Sequence, residues 1–326
     1  MNLNLYDKNL NRIAIIGNQY ISCLWSEGYN TIENFTMELV ATDEYKKKIR
    51  ADCYVGRGDR PTLMVIKTVQ ISNGKIVASG KQAGRVLDDV SFIGTIESGS
   101  MIDTSIKNAY NNSIKYRNLE FFDTDLQIRY GHQISNKSIL ELCTTMCQSE
   151  DVGFKVIKNG NALNALFYQP APNPNLVFSE NFGNLSVNSV SLSTENLKNY
   201  AVVLGEGENE NRKKVNVDVT NGNDRRDLIV DAKDIQKEEN ETDESYESRL
   251  IARGVEKLLE SQQTFSCAFN PYAGDFGEKY DLGDILNLYL TDYGITLKAR
   301  VKKFTQKSQN DRTNTTVEVG KITIKR

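Results

Sequence analysis

Apolar and polar residues alternate with a period of two over much of this chain, the pattern of half-buried strands. Phe35, Met37 and Leu39 alternate with Thr36 and Glu38. Before them, Tyr20 to Trp25 is rich in aromatic and β-branched residues, and Glu27-Gly28 reads as hairpin punctuation. Leu63 to Ile71 and Lys75 to Ser79 predict a strand pair turning at Ser72-Asn73-Gly74, where Asn-Gly accepts positive φ. Phe154 to Ile157 and Leu163 to Tyr168 predict another around Asn159-Gly160. Tyr200 to Leu204 reads as a buried strand, and Val215, Val217 and Val219 alternate after it. Three strand signals close the chain: Leu286, Leu288, Leu290; Ile295, Leu297, Ala299, Val301; and Val317, Val319, Ile322, Ile324. Tyr293-Gly294 turns the first of these into the second.

Helical spacing is rarer. Asp43 to Ile49 suits a short helix. Ile139, Leu140, Cys143, Met146 and Cys147 share a helical face, with Ser135 or Asn136 as the expected cap. Asp243 to Ser261 places Tyr246, Leu250, Gly254, Leu258 and Leu259 near one face behind a Thr242 cap. Residues from about 100 to 120 are polar and Asn-rich, and read as a surface segment or domain junction. Pro170, Pro172 and Pro174 stiffen an extended stretch, because proline cannot donate to a sheet ladder. The fold class is a β-rich α+β protein. Two β-rich blocks, 1–120 and 185–326, flank a smaller mixed insert at 121–184 with a helix and a hairpin.

Composition narrows the chemistry. The 326 residues suffice for two or three domains, and the 39% apolar share, although modest, builds real cores. The one histidine, His132, is the only residue around which a triad could form, and a poly-His metal site is excluded. Beside Gly131 and Gln133 it reads as a surface or helix-entry residue. Cys23, Cys53, Cys143, Cys147 and Cys267 are odd in number and scattered, which reads as reduced thiols. Cys143 and Cys147, at i and i+4, offer half a metal site with no second pair, so they read as core. No basic start follows Met1, and apolar runs such as Ile13 to Ile16 reach only four residues. Neither a secretory signal nor a membrane span, which needs about 18 apolar residues, is read.

Net charge is −3, but it is unevenly spread. Asp231 to Glu247 carries a balance of −6, and Lys298 to Arg326 carries +7. Two solvated faces explain this, as do complementary patches between neighbouring subunits. The basic tail alternates charge with apolar residues, unlike a nucleic-acid-binding arm. Arg57-Gly58-Asp59 spells an adhesion tripeptide, which a Gly-flanked turn explains equally well. Gly205-Glu206-Gly207 follows a strand, but its acidic continuation repels phosphate. A glycosidase needs only two carboxylates, and nothing singles out a pair among the 43 acidic residues. No catalytic, cofactor-binding or metal-ligating set is assigned, and no cofactor is expected.

Several segments together carry a family likeness. Trp25-Ser26-Glu27-Gly28-Tyr29 leads into Phe35-Thr36-Met37-Glu38-Leu39. Thr62 to Val69 is followed by Lys75-Ile76-Val77-Ala78-Ser79-Gly80. Later come Asn199 to Gly205, Arg225 to Ala232, Arg253-Gly254, Tyr280-Asp281-Leu282-Gly283-Asp284-Ile285, Ala299-Arg300-Val301 and Val317-Glu318-Val319-Gly320. On these segments the chain resembles tail proteins of tailed bacteriophages, and among them the siphophage tail-protein family related in architecture to myophage baseplate hubs. It departs from that pattern at Val86-Leu87-Asp88-Asp89-Val90, where many relatives carry a basic, Leu-rich segment.

The resemblance implies a non-enzymatic structural hub with two β-barrel-like domains per subunit. It implies a homotrimer that joins a hexameric tail tube to other tail-tip or baseplate proteins around a central channel. DNA would be passing cargo only, and no membrane would be entered. The expected location is the virion tail, assembled in the bacterial host cytoplasm. A tail-associated cell-wall-cleaving enzyme and a host-surface carbohydrate-binding module are the alternatives.

Overall fold

The computed structural model describes residues 1–113, 119–170, 172–238, 241–261, 264–271, 275–309 and 312–325. In chain order the first strands are β1 (Leu3–Tyr6), β2 (Arg12–Gly17), β3 (Ser22–Gly28), β4 (Asn34–Val40), β5 (Tyr54–Arg57), β6 (Leu63–Ser72) and β7 (Lys75–Gln82). Then come β8 (Ser91–Ile96), β9 (Leu119–Phe121), β10 (Ile134–Ser138), β11 (Gly153–Asn159), β12 (Ala162–Tyr168), β13 (Pro172–Ser179) and β14 (Leu185–Ser193). The last are β15 (Tyr200–Leu204), β16 (Lys214–Asp218), β17 (Asp227–Asp231), β18 (Thr264–Pro271), β19 (Ile285–Leu290), β20 (Ile295–Gln309) and β21 (Arg312–Lys325). The helices are α1 (Asp43–Lys48), α2 (Ile102–Asn111), α3 (Ile139–Ser149) and α4 (Asp243–Glu260). The protein is therefore mostly β with a small helical content. It divides into two compact units, Met1–Asn188 with Ala268–Arg326, and Ser189–Cys267.

The first unit is organised by a sheet of 13 strands in the order β14-β18-β21-β20-β3-β4-β7-β6-β5-β1-β2. β13 and β19 branch from this path at β20. The branch arises because β20 is 15 residues long. β21 runs along one of its edges, while the other is shared by β19 (pairing with residues 295–300) and β3 (pairing with 303–309). The last segment of the sequence is thereby bonded to one of the first. The hairpin between β6 and β7 turns on Asn73 and Gly74, whose φ values are 50° and 71°, as the Asn-Gly signal requires. Around α2, α3 and the short sheets β11-β12-β9 and β10-β8, a core forms that includes Val86, Leu87, Ile106, Tyr110, Leu142 and Met146. Val86 and Leu87 lie in the 3-10 turn Ala83–Asp89, where Arg85 pairs with Asp88 and Asp89. That is the segment departing from the family pattern.

Three local expectations are corrected. The Asn-rich stretch contains α2, whose buried face carries Ile102, Ile106, Ala109 and Tyr110. The asparagines hid an apolar stripe at helical spacing; residues 114–118 of that stretch lie outside the described residues. α3 is capped by Ser138, not Ser135 or Asn136, and Glu141 closes a capping box with it. The second hairpin turns at Gly160 and Asn161, one position later than Asn159-Gly160, because Asn159 still pairs with Ala162.

The second unit has a three-stranded sheet, β16-β15-β17, with β17 parallel to β15. α4 buries Tyr246, Leu250 and Leu258 with Ala201, Val203, Val217 and Val230. Thr242 caps it, as the sequence predicts. Gly254 faces the sheet: a Cβ there would lie 2.7 Å from a Val217 methyl and 2.8 Å from a Val203 methyl. Val219 lies beyond β16 and is exposed, so the valine alternation outruns the strand.

Candidate functional site

The most concentrated polar chemistry of the first unit is inside it. Glu27-Gly28, expected to mark a turn, instead ends strand β3, and the turn follows through Asn30 at φ 53°. The Glu27 side chain is 0% exposed. A carboxylate so desolvated persists only when its oxygens are bonded and its charge is paired. Arg60 supplies both, its Nε donating to Oε1 at 3.0 Å and its Nη2 to Oε2 at 3.1 Å. The indole Nε1 of Trp25, the only tryptophan of the chain, donates to Oε1 at 2.7 Å. Arg60 Nη2 also donates to Asp281 Oδ1 at 2.8 Å. Burial works against the Arg60 charge, but Glu27 and Asp281 outweigh it and raise its pKa. The guanidinium lies 4.5 Å from the Phe276 ring centroid, and Phe276 stacks on Phe304 at 4.1 Å.

This clasp gathers three distant parts of the sequence: strand β3, the 57–62 loop and the 280–285 loop. The last of these is the Leu-Gly-Asp-Ile motif, and its residue types now have physical reasons. Gly283 sits at φ +90°, and a Cβ there would lie 2.5 Å from the Tyr29 ring. The Gly283 carbonyl accepts from Arg300 Nη1 at 2.8 Å. Asp284 Oδ2 accepts the Asp281 amide at 2.8 Å, shaping the loop that presents Asp281 to Arg60. Burial raises the Asp284 pKa. Arg300 Nη2 pairs with Asp151 Oδ2 at 2.6 Å, which ties the 121–184 region to β20. Asn30 adds a second tie, donating to the Val152 carbonyl at 2.6 Å and accepting the Phe154 amide at 2.9 Å. Sequence patterning had no signal for Glu27, Arg60 or Asp281, since each is a charged residue beside a glycine or proline or in a loop motif.

A cleft beside the clasp is lined by Glu27, Arg60, Thr62, Lys155, Tyr168 and Asp281 among others, and its volume is about 110 Å³. Small-molecule sites usually offer about 300–1,000 Å³. At this cleft Glu27, Arg60 and Asp281 are engaged in holding chain segments together, and the Glu27 side chain is fully buried. What the arrangement does chemically is to lock loops.

The other residues singled out by the sequence fall into ordinary structural roles. Arg57 of the Arg-Gly-Asp tripeptide is buried, lies 5.6 Å from the Trp25 ring centroid and pairs with Asp59, so it is not displayed. His132 is exposed, its ring edge-on to Tyr130 at 5.7 Å. Cys143 and Cys147 are fully buried in the core around α3, and burial raises both thiol pKa values. Cys23, Cys53, Cys143 and Cys147 are free thiols; the Cys267 side chain lies outside the described residues. Among the described residues, no three His, Cys, Asp or Glu side chains converge as metal ligands, and no helix is long and apolar enough to cross a membrane.

The Gly205–Gly207 loop is closed by its own unit: Arg212 Nε donates to the Gly205 carbonyl at 2.8 Å, and Tyr246 Oη accepts the Glu206 amide at 2.8 Å. The acidic run is largely matched inside the second unit. Asp231 pairs with Arg212, Asp234 with Arg253, Glu241 with Arg249, Asp243 with Lys237 and Glu247 with Lys213.

Comparison with known proteins gives this architecture its relatives. The fold is shared with the prophage tail protein gp18 of Listeria monocytogenes EGD-e, with TM-score 0.60 and 13% identity over 98% of this chain and 95% of that one. The 43 kDa tail protein of prophage MuSo2 from Shewanella oneidensis gives TM-score 0.63 and 12% identity over 98% of each chain. A tail protein of Neisseria meningitidis MC58 gives 0.62 and 10% identity over 98% and 96%. No curated protein matches at the level of sequence. A family model, the Siphovirus ReqiPepy6 Gp37-like protein, matches residues 64–321, which include the 280–285 loop of the clasp. With most of its length matched, the chain belongs to this siphovirus tail-protein family.

Proposed function

We propose that this chain is a non-enzymatic structural subunit of a phage tail tip or baseplate hub. In this reading three copies form a ring that adapts a hexameric tail tube to the tip and surrounds a central channel. Two barrel-like domains per subunit, drawn from 1–120 and 185–326 with the 121–184 region between them, supply the sixfold match. Its partners are further copies of itself, the tail tube and other tail-tip or baseplate proteins. DNA passes as cargo, and a channel suited to that avoids a dense positive lining, because phosphate contacts would retard transit. Assembly takes place in the bacterial host cytoplasm.

The observation that carries this reading is the fold shared with prophage tail proteins over 98% of the chain. The clasp supports its non-enzymatic part, since the fully buried carboxylate of Glu27 serves to fix loops. Negative-stain particle images of the purified protein test it, and rings with threefold symmetry and a central hole are expected. Strictly monomeric particles at every concentration, with and without tail-tube protein, would refute it. Clearing of purified peptidoglycan that is lost on mutating a cleft carboxylate would instead establish the enzymatic alternative.

A further inference from the structure

The chain contains three Asn-Gly pairs, at Asn73-Gly74, Asn159-Gly160 and Asn221-Gly222. Asparagine is a chemically labile residue, and most so before glycine. The glycine amide nitrogen attacks the asparagine side-chain carbonyl, expels ammonia and closes a succinimide, with no Cβ on the glycine to hinder it. Water then opens the ring to aspartate or isoaspartate. Ring closure requires the turn to open, so its rate follows how readily the local backbone is released.

The fold secures two of the three pairs. Asn73-Gly74 sits inside the β6–β7 ladder, with Ser72 paired to Lys75 and the Gly74 carbonyl accepting the Ala41 amide at 2.8 Å. Asn159 is itself paired with Ala162, and the Gly160 carbonyl accepts from Lys158 Nζ. Asn221-Gly222 lies between β16 and β17, outside either strand. The φ values there are 50° and 84°, and Asn223 closes the turn, its amide and Nδ2 donating to the Thr220 carbonyl at 3.0 and 2.9 Å. Asn221, Gly222 and Asn223 are exposed. Asn199 pins the loop below this tip, accepting the Val219 and Arg226 amides and donating to the Asp224 carbonyl. The tip can therefore open while the sheet beneath it stays paired.

We propose that Asn221 is a site of spontaneous deamidation in the folded protein, and that it converts ahead of Asn73 and Asn159. The side-chain nitrogen leaves as ammonia and a water oxygen replaces it, so a new acid appears in the loop that holds Asp224. The isoaspartate product also lengthens the backbone within the Thr220–Asn223 turn. The second unit thus gains negative charge as the protein ages, with no enzyme needed.

Incubating the full chain in mildly alkaline buffer made with heavy-oxygen water tests this, followed by tryptic mapping with fragmentation to place the label. Label is expected at Asn221 first, with Asn73 and Asn159 lagging. In denaturant the three sites are expected to label at similar rates, because no ladder then protects any of them. Label at Asn73 or Asn159 keeping pace in the folded protein, or the same ranking in denaturant, would overturn the proposal. So would an Asn221 that stays unlabelled in the folded protein while the denatured chain reacts. Asn221→Gln, whose longer side chain closes a ring far less readily, is expected to lose the more acidic form on anion exchange at an unchanged melting temperature. Appearance of that form at the wild-type rate would place the reaction elsewhere and overturn the assignment.

Discussion

Glu27 is the residue on which the first unit's polar interior turns, because its fully buried carboxylate is bonded at once to Trp25 and Arg60. Removing one member of a buried ion pair typically costs about 3–5 kcal/mol, since the other charge is left unpaired. Glu27→Gln should therefore lower unfolding free energy by about 3 kcal/mol, read from denaturant titration. The same titration can follow the emission of Trp25, which reports on the clasp directly because it is the only tryptophan. Gly283→Ala should cost about 1–3 kcal/mol, combining strain at φ +90° with a collision against the Tyr29 ring. If its melting temperature matched wild type, the close approach would be refuted. The sequence showed Glu27-Gly28 as punctuation and Leu-Gly-Asp-Ile as a motif without a reason. Neither could be read further, because burial of a charge is decided by residues 33 and 254 positions away, at Arg60 and Asp281.

At the scale of elements, α4 and its sheet show packing overruling propensity. An exposed Gly in a helix interior would gain about 1 kcal/mol on change to Ala. Gly254 is instead where the helix approaches Val203 and Val217, with no space for a methyl group. Gly254→Ala is thus expected to destabilise the second unit by about 1–3 kcal/mol, the range for overpacking. A thermal melt showing stabilisation would mean that the helix stands off the sheet. Strands with clean alternation, the Asn73-Gly74 turn and the Thr242 cap were legible because each signal is local. The helix α2 was not, because its asparagines obscure a stripe that becomes visible only through the burial of Ile102, Ile106 and Tyr110. The cap of α3 is Ser138 because β10 runs on through Ser135 and Asn136 and ends only at Ser138, from which the helix starts.

Across the whole molecule, charge is handled differently in the two units, and pH should expose this. In the second unit, hydrogen bonds from Arg212, Arg253, Arg249 and Lys237 lower the pKa values of Asp231, Asp234, Glu241 and Asp243. A carboxylate with a depressed folded pKa stabilises above its unfolded value of about 4 and loses that contribution as pH falls toward the folded value. Calorimetric melting should accordingly show destabilisation between about pH 5 and about pH 3, diminished by salt because these pairs are exposed. Asp284 in the first unit has the opposite sign: burial raises its pKa, so its ionisation costs stability as pH rises through the folded value. Asp284→Asn, which keeps an acceptor for the Asp281 amide, should leave the melting temperature equal or higher at neutral pH and unchanged in acid.

The sequence by itself determined the β-rich class, most strand and helix positions, the tail-protein family and the core role of Cys143 and Cys147. Those follow from periodicity, turn chemistry and motif, all of which lie within a few neighbouring residues. Only the tertiary structure decided that β20 bonds to β3, that the acidic run is matched inside its own unit, and that Glu27 is a buried carboxylate rather than a turn residue. These depend on contacts between residues far apart in sequence, and a charge or a strand edge carries no local mark of the partner that will satisfy it.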